Sequence, residues 1–199
     1  MFQDTRNLLG SPLLAVALTA LVAVPAVAEE RSTEDTISLA LSAAPPQMRN
    51  GATVVGADSA VLRQGDNGFT CMITPEVPTG SAPMCADETW MPWAAGWLQG
   101  EPYEPQNRLG LAYMLAGDTA TGGASNIDPH AQAPATDNQW VVEGPHVMLI
   151  VPDEEMLSHI TDDHTAGTPY VMWRGTPFAH VMMPVGPREH RREVAERQE

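Results

Sequence analysis

Short apolar runs recur in the last third of the chain, and each is bounded by residues that favour turns. The runs HVMLIV, YVMW and FAHVMM have the length and composition of buried strands. Between the last two lies RGTP (174–177), whose glycine is free to adopt a positive φ. This spacing predicts that 170–173 and 178–183 pair as an antiparallel hairpin. Such strands must be buried together, which restricts the chain to folds built on a sheet.

The earlier part of the chain adds helices and further strands. Residues 31–48 begin with the candidate caps Ser32 and Thr33 and stop at a pair of prolines, which predicts one short helix. Three β-rich runs follow, ATVVG, AVLRQG and GFTCMI, and the turn-forming cluster QGDNG (64–68) predicts a hairpin. The apolar run LGLAYMLAG (109–117) indicates another buried strand.

Cys71 and Cys85 are the only cysteines of the chain. Their spacing matches no common metal-binding or redox motif, whereas two cysteines in an oxidising compartment usually pair with each other. Closing a loop of this length stabilises a fold by about 3 kcal/mol in the chain-entropy model. The sequence therefore predicts an α+β fold with a mainly antiparallel sheet, two or three short helices and one disulfide.

The N-terminus indicates the compartment. The segment 12–24 is apolar throughout, and small residues follow it up to Ala28, which is the pattern of a secretory signal peptide. The run is shorter than the roughly 18 residues that a membrane span needs. We therefore expect a signal peptide at 1–28, a single globular α+β domain at 29–186 and a charged flexible tail at 187–199. The protein is expected to be periplasmic or secreted, with no membrane attachment after cleavage.

The charge of the chain excludes one class of partner. The formal net charge is −15, whereas proteins that bind nucleic acid need a surplus of arginine and lysine. The same negative charge disfavours anionic lipid surfaces. The sequence also has no phosphate-binding loop, dinucleotide fingerprint, H-E-x-x-H or EF-hand spacing. We therefore expect no cofactor and no nucleic acid, and a small-molecule ligand is the partner that remains.

Three tryptophans lie close together in DETWMPWAAGWLQG. Asp87 and Thr89 are both available as the N-cap of a helix there, and Thr89 is the expected one, because Pro92 is tolerated only in the first turn. Trp90, Trp93 and Trp97 are three and four residues apart, so their indoles share one face of the helix. One interpretation is that these three side chains pack in the protein core. The alternative is a ligand-binding platform on which sugar rings or other flat molecules stack.

The segment 118–139 is the longest stretch without periodicity. It exceeds the roughly 12 to 15 residues beyond which a structureless loop in a compact domain is usually functional or disordered. It contains Ser125, Asn126, Asp128 and His130, which are the polar types from which sites are built. One interpretation is a solvated loop whose side chains bond their own backbone. The other is a ligand-binding loop, with Asn126 and Asp128 as its candidate contacts.

The tripeptide His-Val-Met occurs in two of the predicted strands. Side chains alternate along a strand, so His146 and Met148 share one face of the first, and His180 and Met182 share one face of the second. Imidazole and thioether together suit copper, provided that the strands are neighbours in the right register. Strands that are apolar on both faces are typical of a core, and methionine fills cores readily. We therefore predict that the tripeptides are mainly strand core and that no metal binds, with these four residues as the alternative metal site.

Catalysis needs a nucleophile within reach of a base. Ser125 with His130, His146 or His180 is the set that the sequence offers, although GGASN is not a nucleophile elbow. A general acid or base role for His146 or His180 is the alternative, because a partnered imidazole titrates near neutral pH. These histidines are therefore the main catalytic candidates.

The segments GPHVMLIVPD, YVMWRGTPFAHVMMPV and ASNIDP together resemble exported proteins of Gram-negative bacteria that have no assigned activity. The resemblance covers most of 37–185 and implies no fold, substrate or catalytic residue. We expect a non-catalytic periplasmic protein that binds a small ligand or acts as an accessory protein, through the tryptophan face or the long loop. The alternative is an enzyme or a copper-handling protein that uses His146 and His180.

Overall fold

The computed structural model describes residues 31–74, 81–101, 103, 107–119 and 122–188. The predicted signal peptide lies outside these residues, as does the predicted tail beyond Arg188. The chain from Arg31 onward forms one compact unit. Within the described residues, no helix combines the length and the apolar character that crossing a membrane requires.

An eight-stranded, mostly antiparallel sheet forms the centre of the structure. The strands in chain order are β1 (Thr53–Val55), β2 (Val61–Arg63), β3 (Phe69–Ile73), β4 (Pro83–Asp87), β5 (Gly110–Met114), β6 (Ala124–Ser125), β7 (Trp140–Val141), β8 (His146–Ile150), β9 (Tyr170–Met172) and β10 (His180–Pro184). Their order across the large sheet is β2-β1-β3-β4-β5-β8-β10-β9, while β6 pairs with β7 separately. This arrangement confirms the predicted α+β class.

The helices are short, as predicted. They are α1 (Thr33–Ser42), α2 (Pro46–Arg49), α3 (Trp90–Gln99) and a 3₁₀ helix (Glu154–Leu157). The single helix predicted over 31–48 is in fact two helices, because proline restricts the residue before it and α2 restarts with Pro46 as its first residue. Ser32 caps α1, since its Oγ accepts a hydrogen bond from the backbone N–H of Asp35.

The hairpin predicted at 64–68 is wrong. β2 pairs with β1, and β3 pairs with β1 in parallel, so this segment crosses the end of β1 instead of joining two paired strands. The backbone N–H groups of Asp66 and Asn67 donate to the carbonyl oxygen of Gly51. A Cβ atom on Gly65 would lie 2.2 Å from that oxygen. Gly65 is therefore needed because two backbone segments cross closely at this point. A turn-forming composition alone does not reveal such a crossing.

Two predictions about which segments pair are confirmed. β9 and β10 form the predicted hairpin, with Met172 opposite His180. Cys71 and Cys85 lie directly opposite each other on β3 and β4 and form the disulfide. Both cysteines belong to a buried apolar cluster that α1 covers.

The sheet separates two apolar layers. On one face, α1 covers the disulfide, and Leu157 of the 3₁₀ helix packs on Val171 and Val181. On the other face, α3 and the segment that leads to β7 cover the largest buried cluster. The alternation of side chains along β8 and β10 directs the histidine and methionine of each His-Val-Met tripeptide into this second layer.

The cap of α3 differs from the prediction. Thr89 occupies the N-cap position, but its side chain makes no capping hydrogen bond. Asp87 acts instead, because its Oδ1 accepts the backbone N–H groups of Thr89 and Trp90. Its Oδ2 accepts the N–H of Leu111 in β5. One carboxylate therefore joins the start of the tryptophan helix to a neighbouring strand.

Replacing Asp87 with alanine is expected to lower the free energy of unfolding by about 2 kcal/mol, because three backbone N–H groups lose a charged acceptor. Urea denaturation measures this loss. Thr89→Val is the matched control, since it leaves all three of these hydrogen bonds in place and is expected to cost clearly less. Equal losses in the two variants would show that Asp87 is not the cap.

Candidate functional site

Six strands of the large sheet each place one methionine on the same face. We call this set the methionine face; in order across the sheet its members are Met72, Met84, Met114, Met148, Met182 and Met172. The register sets Met72 opposite Met84, and Met148 opposite Met182. This face therefore offers a continuous surface of flexible, polarizable side chains.

A cavity of about 140 Å³ lies between the methionine face and α3. All six methionines line it, together with four tryptophans: Trp90, Trp93 and Trp97 from α3, and Trp173 after β9. The polar side chains of the wall are Thr74, Asp118, Glu143, His146 and His180. A cavity of roughly 150 Å³ is large enough for benzene, so this one has room for a small organic molecule.

The tryptophans form one packed cluster. The rings of Trp93 and Trp173 stack with centroids 5.7 Å apart, and those of Trp97 and Trp173 stack at 5.5 Å. The indole N–H of Trp97 donates to the carbonyl oxygen of Pro129 at 2.8 Å. Trp90 and Trp93 are buried, and their indole N–H groups have no hydrogen-bond partner in the part of the chain that the structure describes. The predicted tryptophan face is thus both core and cavity wall.

Trp173 has an unusual backbone conformation. Its φ is 58°, in the left-handed region that bulky residues rarely adopt. Two hydrogen bonds hold it there: its backbone N–H donates to Asn126 O at 2.8 Å, and its indole N–H donates to Ser125 O at 2.6 Å. The loop at 125–126 therefore positions a ring of the cavity wall.

His180 is enclosed by aromatic rings. Trp90, Trp93 and Trp173 meet it edge to face, with centroids 5.1 to 5.7 Å away. Its Nδ1 lies 2.9 Å from Phe178 O, and since a carbonyl only accepts, Nδ1 carries the proton. Burial disfavours the charged imidazolium and lowers the pKa of His180 to about 4, although the bond to Phe178 acts in the opposite direction. The ring is therefore neutral at pH 7, with Nε2 as an acceptor.

His146 has a comparable arrangement. It is buried, and its Nδ1 donates to Gly144 O at 2.7 Å. The register of β8 and β10 places it opposite Pro184, so it lies four strand positions from His180. The predicted core interpretation requires a partner for each buried imidazole, and the backbone provides one in both cases. In both rings, Nδ1 is the nitrogen that bonds to the backbone.

A charged cluster adjoins His146. The buried carboxylate of Glu143 accepts two hydrogen bonds from Arg188, at 2.7 and 2.6 Å, and one from the Tyr170 hydroxyl at 3.0 Å. Burial raises the pKa of Tyr170, and the negative charge of Glu143 raises it further, so the phenol stays protonated. Arg188 belongs to the segment predicted as a flexible tail, and that prediction does not hold for this residue.

Asp118 completes the charged cluster. Its Oδ2 accepts the backbone N–H of Glu143 at 2.7 Å. Burial raises the pKa of Asp118, while the nearby His146 and the hydrogen bond from the backbone of Glu143 oppose the rise. Two carboxyl groups, those of Asp118 and Glu143, therefore line the end of the cavity beside β8.

Ser125 acts as a turn residue in the structure. It is buried, its Oγ donates to Asn138 O at 2.6 Å, and the same oxygen accepts the backbone N–H groups of Ile127 and Asp128. Because this hydroxyl already makes three hydrogen bonds to the backbone, it is not oriented for nucleophilic attack on a substrate. Asp128 is exposed, and its Oδ1 accepts the backbone N–H of His130.

The other polar loop residues also organise the loop. Asn126 is buried, and its amide group donates to Gln139 Oε1 and Asp162 O. His130 is exposed, with its ring 5.9 Å from that of Phe178. Neither these two residues nor Ser125 and Asp128 line the cavity. The four polar candidates of the loop thus lie away from the cavity, although Asp118, Gly123 and Ala124 of the same segment line it.

Sequence reasoning did not identify Glu143, Arg188, Asp118 or Trp173 as site residues. Glu143 carried a detectable signal, because it is the single charged residue in the otherwise uncharged run WVVEGPHVMLIV. Among the described residues, no three histidine, cysteine, aspartate or glutamate side chains form a group that could hold a metal ion. Comparison of the chain with protein-family models, with curated proteins and with solved structures gave no match.

Proposed function

We propose that this protein is an exported, non-catalytic binding protein that holds a small, mainly apolar ligand in the cavity between α3 and the methionine face. The observation that carries the proposal is the pair of tryptophans Trp90 and Trp93, which line the cavity and whose buried indole N–H groups have no partner in the described residues. An unsatisfied buried donor costs about 1 to 3 kcal/mol. A ligand with a hydrogen-bond acceptor relieves that cost.

The wall also indicates the shape of the ligand. Tryptophan rings offer flat apolar surfaces, and methionine side chains adapt to irregular ones. The neutral His180 adds an acceptor, Nε2, among the same tryptophans. A planar, uncharged molecule with an acceptor next to a donor therefore fits this wall best.

The catalytic alternative has less support. His146 and His180 each use Nδ1 on a backbone carbonyl. The described residues show no hydrogen bond between either ring and a carboxylate or hydroxyl side chain. Catalytic bases usually have such an orienting partner. The Cys71–Cys85 disulfide supports an oxidising compartment, and with the signal-peptide pattern it favours a periplasmic or secreted protein.

The test compares two flat molecules of similar size. We expect 2-hydroxyquinoline, which carries a donor and an acceptor, to quench tryptophan fluorescence and raise the melting temperature at lower concentration than naphthalene. Trp90→Phe keeps an aromatic ring but removes one free N–H. It is expected to weaken 2-hydroxyquinoline binding about 5- to 10-fold, equivalent to about 1 kcal/mol, and to leave naphthalene binding unchanged.

Trp97→Phe is the control variant, because its indole N–H is already bonded to Pro129 and offers no free donor. It is expected to affect both compounds alike. The proposal fails if neither compound binds, or if Trp90→Phe weakens naphthalene and 2-hydroxyquinoline by the same factor.

A further inference from the structure

The centre of the methionine face brings sulfur atoms and one imidazole together. Met148 lies opposite Met182 in the register of β8 and β10. His146 is two residues before Met148 on the same strand face and lies opposite Met114 of β5. Side chains of directly opposite residues start about 5 Å apart, and diagonal neighbours start about 7 to 8 Å apart, which is within reach of long side chains. Three methionines are therefore the strand neighbours of one histidine on this face.

We propose that this group, Met114, Met148, Met182 and Nε2 of His146, binds Cu(I). Thioether and neutral imidazole are soft to intermediate ligands, and they suit Cu(I) better than magnesium, calcium or manganese. Nδ1 of His146 is bonded to Gly144 O, so Nε2 is the nitrogen of this ring that is available to a metal. Both cysteines are in the disulfide, so sulfur comes from methionine alone.

The four residues are buried: His146, Met114, Met148 and Met182 are all at most 8% exposed. The carboxyl groups nearby already have partners, since Asp118 accepts the backbone N–H of Glu143 and Glu143 pairs with Arg188. Methionine sulfur and imidazole are therefore the ligand set, which suits a soft ion. We assign His146 and not His180 to this ion, because three tryptophan rings meet the ring of His180 edge to face.

The inference does not depend on the proposed organic ligand, since it concerns sulfur atoms on the sheet and not indole groups on α3. The two are separable by experiment. Trp90→Phe is expected to leave Cu(I) binding unchanged.

The test titrates the purified protein with Cu(I) under anaerobic conditions, using bicinchoninate as the competing chromophore. We expect one Cu(I) per chain, at least 10-fold weaker binding in Met148→Leu and in Met182→Leu, and at least 100-fold weaker binding in His146→Gln. X-ray absorption of the loaded protein is expected to show sulfur neighbours. Met72→Leu and Met172→Leu, at the two ends of the same face, are the matched controls and are expected to bind normally.

Circular dichroism and thermal unfolding verify that each variant is folded. Methionine to leucine conserves volume, so these variants are expected to fold even if His146→Gln does not. The proposal is overturned if no Cu(I) binds in competition with bicinchoninate, or if Met148→Leu and Met182→Leu bind as the wild type does. It is also overturned if His180→Gln abolishes binding and His146→Gln does not.

Discussion

Replacing Arg188 with alanine is expected to lower the free energy of unfolding by about 3 to 5 kcal/mol at pH 7. The carboxylate of Glu143 is 1% exposed, and Arg188 provides two of its hydrogen bonds and its compensating charge. Removing the guanidinium leaves a buried negative charge with only the Tyr170 hydroxyl and the backbone N–H of Gly144 as donors. Urea denaturation of the variant and the wild type measures the difference.

The control is a similar ion pair at the surface. Arg108 contacts Glu88 at 2.9 Å, with side chains that are 59% and 74% exposed. Arg108→Ala is therefore expected to cost less than about 1 kcal/mol. A double variant, Glu143→Gln with Arg188→Met, removes both buried charges and is expected to be more stable than Arg188→Ala alone. If Arg188→Ala costs no more than Arg108→Ala, the buried pair does not stabilise the fold.

Lowering the pH from 7 to 4 is expected to reduce the free energy of unfolding by up to about 3 kcal/mol through the titration of His180 alone. The pKa of this imidazole is about 4 in the folded protein, against an ordinary value of 6.5. Between these values the unfolded chain binds the proton and the folded chain does not, so stability falls as the pH falls. The contribution of His180 to the free energy of unfolding is fully present above about pH 6.5. Each unit of difference between the two pKa values corresponds to about 1.36 kcal/mol.

His180→Gln isolates this effect, because glutamine does not titrate. Asp118 titrates with the opposite sign, since burial raises its pKa, but it is present in both proteins and cancels in their difference. The difference in unfolding free energy between wild type and variant is expected to shrink as the pH falls from 7 to 4. A difference that stays constant over this range would show that His180 is not held neutral by burial.

Local patterns predicted most of the elements. Strands, short helices and the β9–β10 hairpin depend on apolar alternation and on turn residues, which lie within a few positions of one another. The crossing at Gly65 was missed because it depends on Gly51, a residue in another segment that packs against it. The hydrogen bond from Leu111 of β5 to Asp87 was missed for the same reason, since the two residues are 24 positions apart.

The site was predicted in part. Trp90, Trp93, Trp97, His146 and His180 were all identified from the sequence, and all five line the cavity. The methionine face was not identified beyond Met148 and Met182, because only the register of six strands reveals that their methionines point the same way. The pairing of Glu143 with Arg188 joins residues 45 positions apart, and no local pattern encodes it.

The order of strands across the sheet nearly follows their order along the chain, and this has a consequence for biosynthesis. A chain that appears N-terminus first can complete the half-sheet from β2 to β5 once Met114 has emerged. The free edge of β5 then presents unpaired backbone groups beside apolar side chains, which is the kind of edge that recruits strands from other molecules. β8 occupies that edge in the finished protein. The last third of the chain therefore covers the β5 edge in the finished molecule. We expect truncation before β8 to give a fragment that aggregates through this edge.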